Sequence, residues 1–360
     1  MELKISTYRK SLNLTQVELA GMLGVSFQTI SKWENGIAVP DIYMLSRLAD
    51  IFDVTLDELV ERKKKITLRK DASDYWSRHI DYLFDTRKNL WNDDYFEFLV
   101  RKVWQLNRPI KVIDFGCGYG YLGLKLMPLL PEGSTYVGID VSEELLIRGR
   151  HIFDDTTYNY NFIHGDIYEY NFNETYDLAI CQALVRHSHH PKKVLKQMVD
   201  ATKKGGKVIC IDVNRVSEVV GYHNSAIPYD PITSLNRFLK NWHLELDQGG
   251  RDYASGLKIP GYLSDLGLVN IDSRLNDKLE VIELQEDILE FMKIFNWPTQ
   301  GLQEKLDDLK SHLKKEKLSE EVIDDYLKWY KLNTESLIDP HIKKTITFSR
   351  GLLISYGDKI

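Results

Sequence analysis

The residues best suited to chemistry form two sets. The first is Asp114-Phe115-Gly116-Cys117-Gly118-Tyr119-Gly120, with Asp140 twenty residues beyond Gly120. The pattern predicts a strand, a glycine turn and a helix, which together bring backbone close to a ligand because glycine has no Cβ. A carboxylate at Asp140, closing the next strand, can accept hydrogen bonds from both hydroxyls of a ribose. Gly118-x-Gly120-x-x-Gly123 also satisfies a dinucleotide pattern, which is a weak signal alone. Its register argues against that reading, because Asp114 and Gly116 already occupy the strand end where the fingerprint begins. Asp114 can bind an ammonium, directly or through water, where it would repel a pyrophosphate. An acid followed by three alternating glycines therefore suits a cofactor with an amino-acid tail. No Walker A pattern is present.

The second set lies in residues 1–61. Thr15 is placed to cap a helix beginning Gln16-Val17-Glu18-Leu19-Ala20, Gly24 permits a sharp turn, and Ser26 caps a second helix, Phe27 to Glu34. Leu19, Ala20, Leu23, Val25, Ile30 and Trp33 are spaced to pack both helices on one core. Gln28, Thr29 and Lys32 remain on the outer face. Glutamine pairs bidentately with adenine, lysine reaches phosphate or guanine, and a helix of this kind enters the major groove by its N-terminal end.

The elements that position the first set alternate. Strands are expected near 110–115, 135–140, 160–164, 176–181 and 206–213, and helices near 121–130, 142–153 and 191–202. Apolar strands alternating with helices indicate parallel βαβ units and an α/β fold. Beyond Val213, loops surround one expected helix at about 231–244, and a strand returns at 268–274. A helical insertion follows at about 276–344, with Leu302, Leu306, Leu309 and Leu313 on one face. A closing strand is expected over Thr345–Tyr356. The insertion leaves one end of the sheet, and the sequence alone does not say which. Its aromatics, Phe291, Phe295, Trp297, Trp329 and Tyr330, are read as its own core. The expected domains are 1–61, a basic linker 62–71 and a unit 72–360. Arg62-Lys63-Lys64-Lys65 has two readings, a solvated linker and a supplementary phosphate contact.

Composition bounds the possibilities. The chain has 360 residues and a net charge of −6, and residues 1–65 carry nine charges of each sign. The whole molecule is therefore no electrostatic sponge for nucleic acid, and DNA binding has to come from a local feature. No apolar run approaches the roughly 18 residues that span a bilayer, and Met1–Ser6 does not read as a leader. No membrane association and a cytoplasmic location are expected. Cys117, Cys181 and Cys210 are too few for a disulfide scaffold, and no Cys-x-x-Cys pair suggests zinc.

Two family resemblances extend this reading. Over residues 1–61, Thr15-Gln16-x-Glu18-Leu19-Ala20, Gly24-Val25-Ser26, Thr29-Ile30-Ser31-x-Trp33-Glu34-x-Gly36 and Pro40 resemble the Cro/C1-type (XRE) helix-turn-helix family. The resemblance implies binding to double-stranded DNA. Gln16 and Asn35 would position the DNA backbone, and Phe27, Gln28, Thr29 and Lys32 would face the groove. Phe27 departs from the polar or basic residue common there, and is either a contact to a thymine methyl or a weakened reader. A homodimer on paired half-sites is expected.

Asp114–Gly120 resembles motif I of class I S-adenosylmethionine-dependent methyltransferases. Further motifs follow in order: Gly138-Ile139-Asp140-Val141-Ser142, His164-Gly165-Asp166-Ile167, Tyr176-Asp177-Leu178-Ala179-Ile180-Cys181 and Lys204-Gly205-Gly206-Lys207. The resemblance implies a Rossmann-like sheet with helices on both faces and S-adenosyl-L-methionine as cofactor. It implies a cofactor site of Asp114, Gly116, Cys117, Gly118, Gly120, Asp140, Val141, Asp166, Ile167, Cys181 and Gln182, with Asp166 toward the adenine amine. His187, in Arg186-His187-Ser188-His189-His190-Pro191, sits where a base or acceptor contact is frequent. Its other reading is a packed loop histidine, and no metal is expected from these histidines.

Methyl transfer from a sulfonium depends mainly on alignment and exclusion of water, so no universal catalytic residue is expected. The acceptor is expected to be a small, partly apolar molecule between Arg186–His190, segment 222–262 and an aromatic helix near Tyr75. Tyr222, His223, Tyr229, Trp242, His243, Arg251 and Asp252 lie in or beside that segment. Competing functions are a regulator that senses S-adenosylmethionine without turnover, and nucleic-acid methylation. The Asn/Asp-Pro-Pro-Tyr signature and the Pro-Cys nucleophile of DNA methylation are both absent.

Overall fold

The computed structural model describes residues 2–3, 5–12, 14–52, 54, 59–61, 90–230, 251–294, 297–315 and 318–360, with scattered positions between 233 and 246. The chain divides into two compact units, Met1–Tyr75 and Trp76–Ile360. The basic run, the expected linker and the helix near Tyr75 lie outside the described residues, as do Phe295 and most of the helix expected at 231–244.

In the first unit, helices α1 (Ile5–Ser11), α2 (Gln16–Leu23), α3 (Phe27–Glu34) and α4 (Ile42–Phe52) pack together. Strands β1 (Glu2–Leu3) and β2 (Val60–Glu61) pair antiparallel. Local sequence explains the α2–α3 turn. The Thr15 side chain accepts from the Glu18 N–H while Glu18 reaches back to Thr15, closing a capping box. Gly24 takes the left-handed conformation at φ +69, and Ser26 accepts from the Thr29 N–H. Leu19, Ala20, Leu23, Ile30 and Trp33 are buried with Ile5 and Leu48.

In the second unit, α5 (Asp93–Phe98) leads to β3 (Lys111–Phe115), α6 (Tyr121–Leu126), β4 (Thr135–Asp140), α7 (Glu143–Asp154), β5 (Asn159–His164) and β6 (Tyr176–Gln182). Then come α8 (Pro191–Ala201), β7 (Thr202–Val213), α9 (Arg215–Val220), β8 (Tyr222–Asn224), α10 (Ser255–Asp265) and β9 (Val269–Leu275). Last are β10 (Leu279–Ile282), α11 (Gln285–Ile294), α12 (Leu302–Lys315), α13 (Glu320–Ile338), β11 (Ile346–Ser349) and β12 (Leu352–Asp358). Seven strands form one sheet in the order β5-β4-β3-β6-β7-β12-β9. The first five are parallel, and β12 is antiparallel to both neighbours.

Strand residues alternate between two cores, as the period of two requires. Leu178, Ile180, Ile209 and Ile211 face α5, α6 and α7. Ala179, Cys181, Val208 and Cys210 face α8 and α10. The fold is the Rossmann-like sheet with helices on both faces. Truncating a fully buried side chain such as Leu126 to alanine costs about 2–5 kcal/mol in such cores.

Several details differ from expectation, the first being α9 and α10, which form where only loops were expected around a helix at 231–244. The helix from Tyr121 ends at Leu126, and a tight turn follows over Met127–Leu129, because Pro128 cannot donate to a continuing helix. The closing strand is two strands in two sheets. Gly351 bends the chain at φ +57, where a Cβ would meet the Asn214 carbonyl at 2.6 Å. The insertion is not purely helical, since β10 joins β11 and β8 in a second sheet, order β10-β11-β8. The pairing also settles where the insertion leaves the main sheet. Leu275 at the end of β9 pairs with Leu353, and Leu353 pairs with Asp212 at the end of β7. The insertion therefore departs from the carboxyl end of the parallel strands, the end that carries the glycine turn.

Candidate active site and nucleic-acid interface

The glycine turn follows β3 directly. Gly116, Gly118 and Gly120 have φ of +65, +56 and +83, which L side chains rarely adopt. A Cβ on Gly116 would lie 2.7 Å from Leu184 Cδ1, and one on Gly120 would lie 2.7 Å from Phe153. At Gly118 the nearest atom is 3.8 Å away, so this side of the turn is open.

Asp140 closes β4 beside the turn. Its Oδ2 accepts the Gly118 N–H at 2.8 Å and its Oδ1 accepts the Ser142 N–H at 2.9 Å. Burial pushes this carboxyl up, and the N–H groups of Ser142, Gly118 and Val141 oppose that shift. With about four lone-pair sites and three N–H groups, the carboxylate keeps room to accept a ribose hydroxyl. An open glycine face beside an anchored carboxylate fits a nucleoside with an amino-acid tail.

Asp114 lies beneath the turn, 1% exposed, and accepts from the Tyr136 hydroxyl at 2.8 Å. Burial pushes its carboxyl up to about 7; the Tyr136 hydrogen bond opposes this and the Asp140 charge adds to it. Cys117 is buried, and burial pushes its thiol up. Val141 is 42% exposed, and its carbonyl lies 3.1 Å from His164 Nε2. Asp166 is half-buried and accepts the Tyr168 N–H at 2.9 Å, while Ile167 is buried. The Cys181 thiol is buried 3.3 Å from that of Cys210, and Gln182 Oε1 accepts from Trp91 Nε1 at 3.2 Å.

The loop after β6 holds the catalytic candidate. His187 Nε2 accepts from Arg186 Nε at 2.9 Å, so that lone pair is engaged. Sequence reasoning missed Asp212, which is fully buried at the end of β7. Its Oδ2 accepts the Arg186 N–H at 2.9 Å and its Oδ1 the Val213 N–H at 2.7 Å. Burial raises this carboxyl, against the opposing charge of Arg186. Asp212 thereby ties the loop to the sheet; an acid inside the apolar run Val208–Val213 was the available signal. Ala183 at φ +57 makes the turn into this loop.

Around the expected acceptor region, Tyr222 packs into the second sheet and stacks on Phe291. Trp242 stacks on Tyr253, and the Arg251 guanidinium lies 5.5 Å over the Tyr253 ring. Phe291, Trp297, Trp329 and Tyr330 pack among their own kind. The Asp252 N–H donates to the Arg186 carbonyl at 3.0 Å, joining the α10 end to the loop.

In the first unit, Gln28 and Lys32 are exposed one helical turn apart on α3, so they share a face. Phe27 is 50% exposed, and Thr29 Oγ1 lies 2.9 Å from Ser26 Oγ. Gln16 Nε2 donates to Glu34 at 2.8 Å, and Asn35 Nδ2 donates to the Ser31 carbonyl at 2.8 Å. Arg9 and Glu34 form a largely buried pair at 2.6 Å. Burial alone would raise the Glu34 carboxyl, but Arg9, Gln16 and Lys10 hold it below its ordinary value. That carboxylate fixes α1, α2 and α3 behind the exposed face.

Residues 5–59 match the helix-turn-helix family and residues 106–257 the methyltransferase domain family. The chain therefore carries an XRE-type helix-turn-helix domain followed by a methyltransferase domain. The N-terminal region is 43% identical over 65 residues to the HTH-type transcriptional activator BcrR of Enterococcus faecalis, covering 18% of this chain and 32% of that protein. A stretch of 105 residues is 29% identical to a ubiquinone biosynthesis O-methyltransferase of Coxiella burnetii, covering 29% of this chain and 44% of the relative. The chain thus spans less than half of either relative. A solved structure of Haemonchus contortus phosphoethanolamine N-methyltransferase 2, in complex with S-adenosyl-L-methionine, aligns at 15% identity and a TM-score of 0.44. It covers 81% of this chain and 59% of that one.

Proposed function

We propose that the chain is an S-adenosylmethionine-dependent methyltransferase acting on a small-molecule acceptor. In this reading its N-terminal domain binds double-stranded DNA as a homodimer and tethers or regulates the enzyme. The observation that carries it is the Asp140 carboxylate, locked to Gly118 and Ser142 at the open face of the glycine turn. S-adenosylmethionine supplies an electrophilic methyl group on a sulfonium. Asp140 would hold the ribose, and Asp166 and Ile167 would meet the adenine. Asp114, under the turn, would act on the amino-acid tail through water rather than by direct contact, because it is only 1% exposed. The loop anchored by Asp212 would align the acceptor and exclude water, effects that supply most of the barrier reduction such a transfer requires.

The Arg186–His187 hydrogen bond favours a reading without proton abstraction by His187. That suits an acceptor with a free lone pair, and it also suits a sensor that binds cofactor without turnover. Incubation of the protein with methyl-labelled S-adenosylmethionine, a bacterial low-mass extract and duplex DNA separates the readings. Label in low-mass product supports the enzyme. Tight cofactor binding with no labelled product supports the sensor, and label in DNA overturns the small-molecule acceptor.

A further inference from the structure

Trp91 belongs to none of the cofactor motifs, yet it meets the site. It is 4% exposed and packs edge-on to Phe96, with ring centres 5.0 Å apart. Its indole Nε1 donates to Oε1 of Gln182, the last residue of β6, at 3.2 Å. The residues on either side of it are clamped to the chain leaving β9. Asn276 Nδ2 donates to the Leu90 carbonyl at 2.6 Å, and Lys278 Nζ donates to Asn92 Oδ1 at 3.2 Å. The Asn276 N–H donates to the Leu352 carbonyl at 2.9 Å, at the start of β12.

This contact fixes which way the Gln182 amide points. An indole N–H can only donate, so the amide atom facing it is the oxygen. The NH2 group is left on the other side, and it has no hydrogen-bond partner among the described residues. Gln182 is half-buried, and its Nε2 is not closed off from solvent.

The sheet order places that donor. Phe115 of β3 lies beside Cys181 of β6, so Gly116 and Gln182 come next in line. Asp140 closes β4, on the opposite side of β3 from β6. Neighbouring strands are about 5 Å apart. A nucleoside with its adenine by Asp166 and its ribose on Asp140 therefore runs its tail over the glycine turn toward Gln182. The turn itself has little to offer a carboxylate. The N–H groups of Gly116 and Cys117 donate to the Ile139 carbonyl at 2.8 and 3.2 Å, that of Gly118 to Asp140, and that of Gly120 to the Cys117 carbonyl at 2.9 Å. An anion arriving here needs another donor. The Gln182 NH2 group suits it and repels an ammonium, since the amide oxygen is held by Trp91.

We propose that Trp91 is a positioning residue, which holds the Gln182 amide with its NH2 group toward the carboxylate of the cofactor's amino-acid tail. The proposal rests on the S-adenosylmethionine reading, and the choice of ligands keeps the two apart. Decarboxylated S-adenosylmethionine lacks only the carboxylate, and methylthioadenosine lacks the amino-acid end altogether. Calorimetry on the full chain should show S-adenosylmethionine binding more tightly than its decarboxylated form. Gln182→Glu keeps an oxygen toward Trp91 and puts a second one where the NH2 group was. It should weaken S-adenosylmethionine by roughly tenfold or more, the loss of a hydrogen bond to a charged group, and leave the decarboxylated form at least as tight. Trp91→Phe keeps a ring but lets the amide turn. It should weaken S-adenosylmethionine by roughly two- to tenfold, the range of one neutral hydrogen bond, and leave methylthioadenosine unchanged. A merely structural Trp91 would weaken all these ligands alike. If Trp91→Phe does not fold, Gln182→Glu decides, and an unchanged preference for S-adenosylmethionine would overturn the proposal. Equal binding of S-adenosylmethionine and its decarboxylated form by the unaltered protein, or a uniform loss in Trp91→Phe, would overturn it while the cofactor reading stands. Binding of neither S-adenosylmethionine nor methylthioadenosine would overturn both.

Discussion

The Gly118 N–H donates to Asp140 Oδ2 over 2.8 Å, so the glycine turn and the acid that closes the neighbouring strand act as one unit. The parallel pairing of β3 with β4 sets this contact, since it places Asp114 opposite Gly138 and Phe115 opposite Ile139. The turn then has only Gly116 and Cys117 in which to double back over the β4 end.

Two glycine substitutions separate packing from the cradle. A Cβ on Gly138 would lie 2.6 Å from Cys117 Sγ and 2.9 Å from Phe162, both in the core. Gly138→Ala should destabilise the domain by about 1–3 kcal/mol through overpacking. Gly118→Ala has space but retains the φ of +56, a strain of roughly 1–2 kcal/mol. It also places a methyl on the open face, so cofactor affinity should fall together with the modest loss of stability. Urea denaturation and cofactor titration of both variants check this. Unchanged cofactor affinity in Gly118→Ala would show that the open face is not the binding face.

The Asp114 carboxyl gives a pH dependence with a defined sign. Its native pKa is raised by burial to about 7, against about 3.9 in an unfolded chain. The native state thus holds this proton more tightly. The stabilisation is complete below about pH 3.9 and is lost as pH rises through about 7. Asp114→Asn keeps a carbonyl for the Tyr136 hydroxyl and removes the titration. The variant should gain stability relative to the parent by at most about 1.4 kcal/mol per pH unit across this window, with no further change above it. Urea denaturation at a series of pH values measures the difference. A constant difference from pH 4 to 8 would contradict the assignment.

On the DNA side, Gln28 and Lys32 are expected to act differently. Gln28→Ala should cost about 1–3 kcal/mol and relax the preference at one base position. Lys32→Ala should weaken all sequences alike and reduce the salt slope by about 1 if it meets phosphate. Fluorescence anisotropy on the chain's own upstream DNA, at several salt concentrations, reads both effects. Wild-type binding by both variants would remove α3 from the groove.

The main sheet was legible chiefly through its central strands, which are apolar runs bounded by turn residues, as in Lys111–Phe115 and Tyr176–Gln182. Caps at Thr15 and Ser26 made the helix-turn-helix equally plain. The second sheet was not legible. Tyr222–Asn224 and Leu279–Ile282 are too short to show a period, and their pairing is set by contacts more than 50 residues apart in sequence. The break at Gly351 was missed because one glycine in an apolar run reads as continuing strand until its φ is known. At the site, the glycines and Asp140 announced themselves by spacing. Asp212, Tyr136 and Leu184 did not, because their roles come from which neighbour each one meets across the sheet.

The central claim is that Asp140, held by the glycine turn, receives the ribose of S-adenosylmethionine. Calorimetric titration of the unaltered protein and of Asp140→Ala with S-adenosylmethionine tests it most directly, with urea denaturation confirming that the variant is folded. The account predicts measurable binding by the unaltered protein and a loss of about 1.5–3 kcal/mol in the folded variant, the effect of removing hydrogen bonds to a charged group. Equal affinity in the two proteins, or no binding by the unaltered protein, would contradict it.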